Sequence, residues 1–356
     1  LLLRTPRLRP EGPSEDAVAR AAAIVARQSD PWAALALTGD KALLFSDDGA
    51  AFVAFAAHGG SWIALGGPVG PEDSAREAAW TFADAARRAG ERPVFYEVGP
   101  EHKSLMLDLG LKLSKLGEEA IVDLAGFSLE GASRKKLRAA HARAGRDGLC
   151  FAFAHPPHAA ELMSELRVVS DAWLADRRGR EKGFSVGRFE EGWVQRWPVA
   201  MVRRGERLEA FASVLTTEGR AEATVDLMRR RADCPAVAME FLFTSLMLRL
   251  SADGCGRFSL GMAPLAGLEA KPGADAWSRF GALVFRHGGR FYNFAGLRGF
   301  KQKFDPTWRP RFLAAPTEGP PLAALADAAL LIGGRDPGIA GDRKAPDVTV
   351  QTTARR

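Results

Sequence analysis

Cysteine, histidine and tyrosine are scarce in this chain, whose 356 residues include three Cys, six His and two Tyr. Cys150, Cys234 and Cys255 lie far apart, are odd in number and form no CxxC pair. That pattern excludes a disulfide framework and a zinc site, and it fits a reducing compartment. The histidines are scattered without an HExxH, so no metal is expected. There is no GxxxxGK[ST] loop for a nucleoside triphosphate and no GxSxG elbow for a serine nucleophile. Kinase, classical hydrolase and dehydrogenase chemistry therefore lack their usual marks, and no cofactor is expected. Long apolar runs are missing too. The most apolar stretch, "PAVAMEFLFTSLMLRL" at 235–250, carries Glu240 and Arg249. It falls short of the about 20 apolar residues that a membrane span needs.

What is present is an ordinary globular composition, 47% hydrophobic and 26% charged, long enough for two domains. The net charge of +6 favours an anionic partner. Three apolar runs within 41–65, separated by "DDG" and "HGG", predict an antiparallel meander. In 71–90, Ala75, Ala79, Phe82, Ala86 and Ala89 share one helical face. "RPVFYEV" predicts a strand, 101–109 a short helix and 118–124 another strand. The second half repeats this plan: strands near 198–203, 207–215 and 220–228, a helix over 235–252, strand "RFSLGM", and helices at 274–287 and 296–304. A further helix is expected at 320–331. The expectation is an α+β fold of two duplicated mixed-sheet units with a polar tunnel between or through them.

Between the halves, "ASRKKLRAAHARAGRDG" (132–148) clusters Arg134, Lys135, Lys136 and Arg138 on a helix with a thin apolar stripe. Such a helix is either a solvated linker or a phosphate-binding surface. "GGPVG" at 66–70 follows a strand and precedes a helix, so it is either a plain turn or a loop of backbone N–H groups facing an anion. In "AEATVDLMRR", Asp226 stands among apolar residues with Arg229 three positions on. Strict alternation puts the two on opposite faces, so a shared pocket needs a bulge between them. In "FYNFAGLRGFKQKFDPTWRPRF" (291–312), Leu297, Phe300 and Phe304 form one helical face, and Lys301 shares it. An ammonium aimed at a core needs a partner or a job. Lys303 points elsewhere.

Taken in order, "LALTGDKALLFSDDG", "GGPVGP", "LGEEAIVDLAGFSLEG", "RKKLR", "EKGFSVGRF", "DLMRR", "MEFLF", "LGMAPL" and "YNFAGLRGFKQKFDPTWRPRFL" resemble the cytosolic C-terminal domain of the multiple peptide resistance factors, the aminoacyl-phosphatidylglycerol synthases. The resemblance runs from about residue 30 to 315. It implies a tandem acetyltransferase-like (GNAT) fold and transfer of a lysyl or alanyl group, lysyl favoured, from aminoacyl-tRNA to phosphatidylglycerol. No cofactor is implied. The expected layout is a linker over 1–14 from a missing membrane region, a first unit over 15–131 and the basic connecting helix over 132–148. A second unit with the active site would cover 149–333, and a disordered tail 334–356. The partners would be aminoacyl-tRNA, phosphatidylglycerol of the inner membrane and the N-terminal membrane domain of the same chain. The place would be the membrane's cytoplasmic face, and the outcome a change of membrane charge and resistance to cationic antimicrobial peptides.

Carried onto this chain, the resemblance implies catalytic roles for Asp226, Arg229 and Lys301. Glu240, Met262, Tyr292, Asn293 and Arg298 would touch substrate. Arg134, Lys135, Lys136 and Arg138 would hold tRNA or lipid phosphate. The chain departs from the family in two places: Gly67 stands where "GDPVG" is usual, and Glu240 where "MDFLF" is usual. Two alternatives remain at this point, a tRNA-dependent peptidoglycan-branching transferase and a non-catalytic module for anionic membranes. A coenzyme A-dependent acetyltransferase lacks its R/Q-x-x-G-x-G/A loop.

Overall fold

The computed structural model describes residues 10–176, 180–267, 294–317 and 321–333. The first half comprises α1 (Glu15–Ala26), a 3-10 helix (Pro31–Thr38), β1 (Ala42–Phe45), β2 (Phe52–His58), β3 (Ser61–Leu65), α2 (Glu72–Arg88), β4 (Arg92–Val98), α3 (Lys103–Asp108) and β5 (Leu111–Asp123). The basic helix α4 (Lys135–Arg146) follows, then β6 (Leu149–Ala154) and α5 (Ala160–Asp176). The second half continues with α6 (Glu191–Val194), β7 (Val199–Arg204), β8 (Arg207–Thr216), β9 (Glu222–Arg230), α7 (Ala238–Ala252) and β10 (Arg257–Pro264). It closes with α8 (Phe294–Gln302), β11 (Thr307–Pro316) and α9 (Pro321–Ile332). Meander, helix, parallel strand, helix and antiparallel strand recur in both halves, the plan of a tandem acetyltransferase-like fold. The expected helix at 274–287 and the expected tail lie outside the described residues.

The expectation of two separate sheets is corrected. Among the described residues all strands join one 11-stranded sheet in the order β1-β2-β3-β4-β11-β5-β10-β9-β8-β7-β6. The cause is an exchange at the seam. β11, from the second half, slots between β4 and β5 of the first, and β5 pairs with β10 of the second. Each half thus completes the other's backbone hydrogen bonds, which buried peptide groups require. Sequence reading expects β5 only from residue 118 and misses β11, because Lys112, Lys115, Arg309, Pro310 and Arg311 do not look like central-strand residues. Pro310 is tolerated for a local reason. It pairs with Glu118 of β5, whereas pairing to β4 begins only at Phe312, so a missing N–H on that side costs nothing there.

Alternation along the strands sorts the core onto both faces. One cluster spans both halves, with Val94, Tyr96, Met201, Phe211 and Leu227 against α1, α5 and α9. The opposite face carries a cluster under α2 and α3 around Phe82 and Phe95, and another under α7 and α8 around Phe243, Phe258 and Phe304. The α2 face matches its expected stripe, with Ala75, Ala79, Phe82 and Ala86 all buried.

Gly117 marks how tightly the seam is drawn. A Cβ there would stand 2.4 Å from the Ala263 carbonyl oxygen and 3.0 Å from Pro264 Cα. Both obstacles are backbone, so no side-chain rotation relieves them. Gly117→Ala is expected to destabilise the protein by about 1–3 kcal/mol, the usual cost of overpacking. Gly145→Ala, in α4 with nothing near its Cβ, is expected to stabilise by up to about 1 kcal/mol. Thermal melts of the two variants check both signs.

Candidate active site at two strand forks

Parallel strands that pair briefly and then part leave a fork, and each half has one. In the second half β9 and β10 pair only through Arg257–Glu222, Phe258–Ala223 and Ser259–Thr224. Beyond Ser259, β10 bulges, with Gly261 at φ 76°, and the strands separate. Asp226 and Arg229 lie on β9 past this point; Gly261 and Met262 line the β10 side. The bulge that the Asp226–Arg229 spacing calls for is present. Val225 pairs with Val214 and Met228 with Ala212, leaving Asp226 and Leu227 opposite Ser213 alone. Both polar side chains consequently turn toward α5 and the 181–193 segment.

There the Asp226 carboxylate accepts hydrogen bonds from Gly187 N–H (2.7 Å) and Trp193 Nε1 (2.8 Å). Its desolvation raises the pKa above the ordinary 3.8, against the pull of these bonds and of Arg229. Arg229 donates to Glu181 at 2.8 Å and stacks over Trp173 with 4.1 Å from guanidinium carbon to ring centre. The 181–193 segment is itself anchored from the first half by Lys41, which is fully buried. Lys41 Nζ donates to the Phe184 carbonyl at 2.8 Å and to Asp40, and Asp40 accepts from Phe184 N–H at 2.7 Å. "LALTGDK" and "EKGFSVGRF" are thus two sides of one latch. Sequence reading misses Lys41; its signal was an Asp-Lys pair set directly against an apolar strand.

Lys301 on α8 reaches the same fork from the β10 side. It is buried, as its helical face predicts, at 4% exposure. It neither pairs with a described carboxylate nor extends to water. Its ammonium donates to the carbonyl oxygens of Gly261 and Met262, both at 2.8 Å. The β10 bulge presents these acceptors to it. Burial lowers its pKa to about 7, with Glu119 and Glu97 pulling the other way. Near neutral pH this amine is held in both protonation states.

The other expected contacts separate into three groups. Met262 meets Lys301 through its carbonyl. Glu240 is taken by Lys303, and Arg298 pairs with Glu118 at 3.2 Å while stacking on Trp308. Tyr292 and Asn293 lie outside the described residues. At the start of α4, the N-cap residue Arg134 donates to the Phe304 carbonyl, and Arg138 within the helix donates to those of Leu129 and Gly131. Lys135 and Lys136 are exposed.

The first half's fork opens where β3 and β4 part after Leu65–Tyr96. Here lies a cavity of about 360 Å³, bounded by the Gly66–Gly70 loop, Glu97, His102, Arg309 and Arg311. Glu97 is the odd residue of a β4 bulge, since Phe312 pairs with Val98 and Leu313 with Tyr96. It sits in the left-handed region at φ 65° and is 8% exposed. Burial pushes its pKa up to about 8, despite Arg311. At Gly67 a Cβ would stand 2.2 Å from the His102 ring, so the imidazole fills the room that a side chain at 67 would need. Between the forks, Arg311 donates to Glu119 at 2.9 Å, and Ser259 Oγ donates to Glu119 at 2.6 Å. Glu119 is felt by both Glu97 and Lys301.

A family model described as "Phosphatidylglycerol lysyltransferase, C-terminal" matches residues 22–315. The chain belongs to this family. It is 36% identical over 310 residues to phosphatidylglycerol lysyltransferase of Bacillus subtilis, covering 86% of this chain and 36% of that protein. The Staphylococcus aureus (strain MRSA252) enzyme of the same name is 33% identical over 280 residues, covering 78% and 33%. The chain therefore spans about a third of the length of these relatives. Among solved structures, the C-terminal domain of a putative lysylphosphatidylglycerol synthetase from Agrobacterium fabrum superposes with a TM-score of 0.82 at 44% identity, covering 91% of this chain and 98% of that one. L-PGS from Bacillus licheniformis gives 0.79 at 34%, covering 92% and 99%. The family's fold thus extends across both forks and the seam.

The Glu97 carboxyl has a pH signature. Its folded pKa of about 8 lies above the ordinary 4.5, so the folded protein keeps a proton that the unfolded chain releases between those values. Its contribution to stability is complete below about 4.5 and is lost as pH rises through about 8. Glu97→Gln keeps a neutral side chain and cannot titrate. The melting temperature of wild type minus that of Glu97→Gln is expected to fall between pH 5 and pH 9. A constant difference would place a charged Glu97 in the fold.

Proposed function

We propose that this chain carries the catalytic part of a tRNA-dependent aminoacyltransferase that moves an aminoacyl group, lysyl favoured, onto a glycerol hydroxyl of phosphatidylglycerol. The observation that carries this reading is the β9/β10 fork, with Asp226 and Arg229 on one of its two strands and Lys301 bonded to the bulge of the other, in a chain matching the lysyltransferase family across both halves. Lysyl is favoured because that is the group named for the curated relatives.

The reaction exchanges one ester for another, so it needs alignment and charge stabilisation rather than an energy source. The lipid hydroxyl oxygen bonds to the aminoacyl carbonyl carbon, the bond from that carbon to the ribose oxygen breaks, and the hydroxyl proton ends on the ribose. Lys301, with a pKa of about 7, suits stabilising the carbonyl oxyanion and passing a proton at neutral pH. Asp226 would orient the α-amine, and Arg229 would exchange Glu181 for a substrate anion. Exposed Lys135 and Lys136 offer the tRNA backbone two free charges, whereas Arg134 and Arg138 already bond backbone carbonyls.

The direct test is transfer of radiolabelled lysine from lysyl-tRNA into the chloroform phase with phosphatidylglycerol vesicles, beside alanyl-tRNA. Lys301→Met is expected to lower kcat at least 100-fold. It should also destabilise the protein by about 1–3 kcal/mol, because two bulge carbonyls lose their donor. Full activity of Lys301→Met would remove Lys301 from the chemistry.

Binding to tRNA should weaken with salt, and Lys135→Glu with Lys136→Glu should flatten that dependence. Losing two phosphate contacts lowers the log–log slope by about 1.4–1.8. An unchanged slope would exclude α4 from the RNA surface.

A further inference from the structure

We propose that the cavity at the β3/β4 fork is the acceptor pocket for a glycerophosphate lipid, with Arg309 on the phosphate and Glu97 on a glycerol hydroxyl. This rests on the transferase reading and adds where the lipid head sits, in a cavity that opens at the first half's fork and reaches Glu222 and Arg257 across the seam.

The charges around the cavity are not equivalent. Arg311 is held by Glu119 at 2.9 Å and Arg257 by Glu222 at 3.2 Å. Arg309 makes no hydrogen bond or ion pair with a described residue, although Glu222 lies near enough to feel its charge. Arg309 and Arg311 stand two apart on β11 and so point to one side, toward the cavity. A half-buried guanidinium that bonds to no carboxylate is suited to a phosphate, even in a cavity that Asp30, Glu101 and Glu222 also line. The Gly66–Gly70 loop forms another part of the rim.

Glu97 is the second element. A non-glycine residue at positive φ is strained, and such strain persists only where surrounding structure enforces it. Here the β4 bulge turns a buried carboxyl onto the cavity wall instead of into the sheet. Held protonated, it can donate to one hydroxyl oxygen and accept from another, which suits a neutral polyol. It offers no charge to an amine.

The third element is the 3-10 helix, whose Trp32, Ala33 and Ala36 line the cavity beside Asp30, an ion-pair partner of Arg311. A pocket with one apolar wall and a few placed polar groups fits an amphiphile. A ribose-phosphate at a tRNA end shares the diol and the phosphate. The apolar wall favours the lipid, as does the position of basic α4, which packs beneath the second half's core.

The test uses the whole chain with dioctanoyl-phosphatidylglycerol, its deacylated form glycerophosphoglycerol, and lysyl-tRNA. Calorimetry is expected to give at least tenfold tighter binding of the lipid than of glycerophosphoglycerol. Equal affinities would mean that the pocket takes the free phosphodiester, and the lipid assignment would fail. Glu97→Ala, Arg309→Ala and Ala33→Phe should each raise the KM for the lipid at least tenfold while the KM for lysyl-tRNA stays within twofold. Glu97→Gln should recover most of the Glu97→Ala loss, because it still donates and accepts. An unchanged lipid KM in folded, active variants overturns the proposal, and so does a rise in the KM for tRNA instead. Calorimetry needs no turnover. Lipid binding that these substitutions abolish, in a chain that transfers nothing, would retain the pocket and reject the transferase reading.

Discussion

The antiparallel ladder between β5 and β11 is the contact on which the rest of this molecule depends. Each of these strands leaves its own half and completes the other, so neither half has a satisfied sheet without its partner. The Arg311–Glu119–Ser259 chain runs across the ladder from β11 through β5 to β10. A buried ion pair of this kind stabilises little by itself, since desolvation offsets its attraction, but removing one member leaves a costly charge behind. Its more evident consequence is positional. It fixes the register at which the two forks open on either side of the seam.

The forks show how one topological feature yields different chemistry. In both, a pair of parallel strands parts at a bulge, and the bulge exposes polar groups that a regular ladder would have used. In β10 the exposed groups are carbonyls, and Lys301 binds them. In β4 the exposed group is a side chain, Glu97. Each of these residues is buried in a way that disfavours its charge, so the amine is depressed to about 7 and the acid raised to about 8. Protonation equilibria near neutrality are where proton transfer is most readily reversible. Glu119 lies between them and links the two electrostatically.

The latch from Lys41 and Asp40 to Phe184 adds a constraint from the other face. It ties the segment covering Asp226 and Arg229 to the 3-10 helix that also walls the first-half cavity.

Local patterns in the chain were sufficient for much of this. The meander over 41–65, the alanine face of α2, the basic helix α4, the burial of Lys301 and the need for a bulge between Asp226 and Arg229 all follow from periodicities of 2 and 3.6 residues. Residue order also carried the family resemblance. What it did not determine was pairing across the seam. β11 holds Arg309, Pro310 and Arg311, which no propensity assigns to a central strand, and they are stable there only because β5 supplies one edge and the fork leaves the other open. Lys41, Glu97 and Glu119 escaped sequence reading for the same reason, since their partners are remote in the chain. Whether Lys301 would meet a carboxylate, water or a bare carbonyl depended on where β10 bulged. Short-range order is written in the side chains of neighbours, whereas a buried charge is given its role by groups that only the closed sheet brings near.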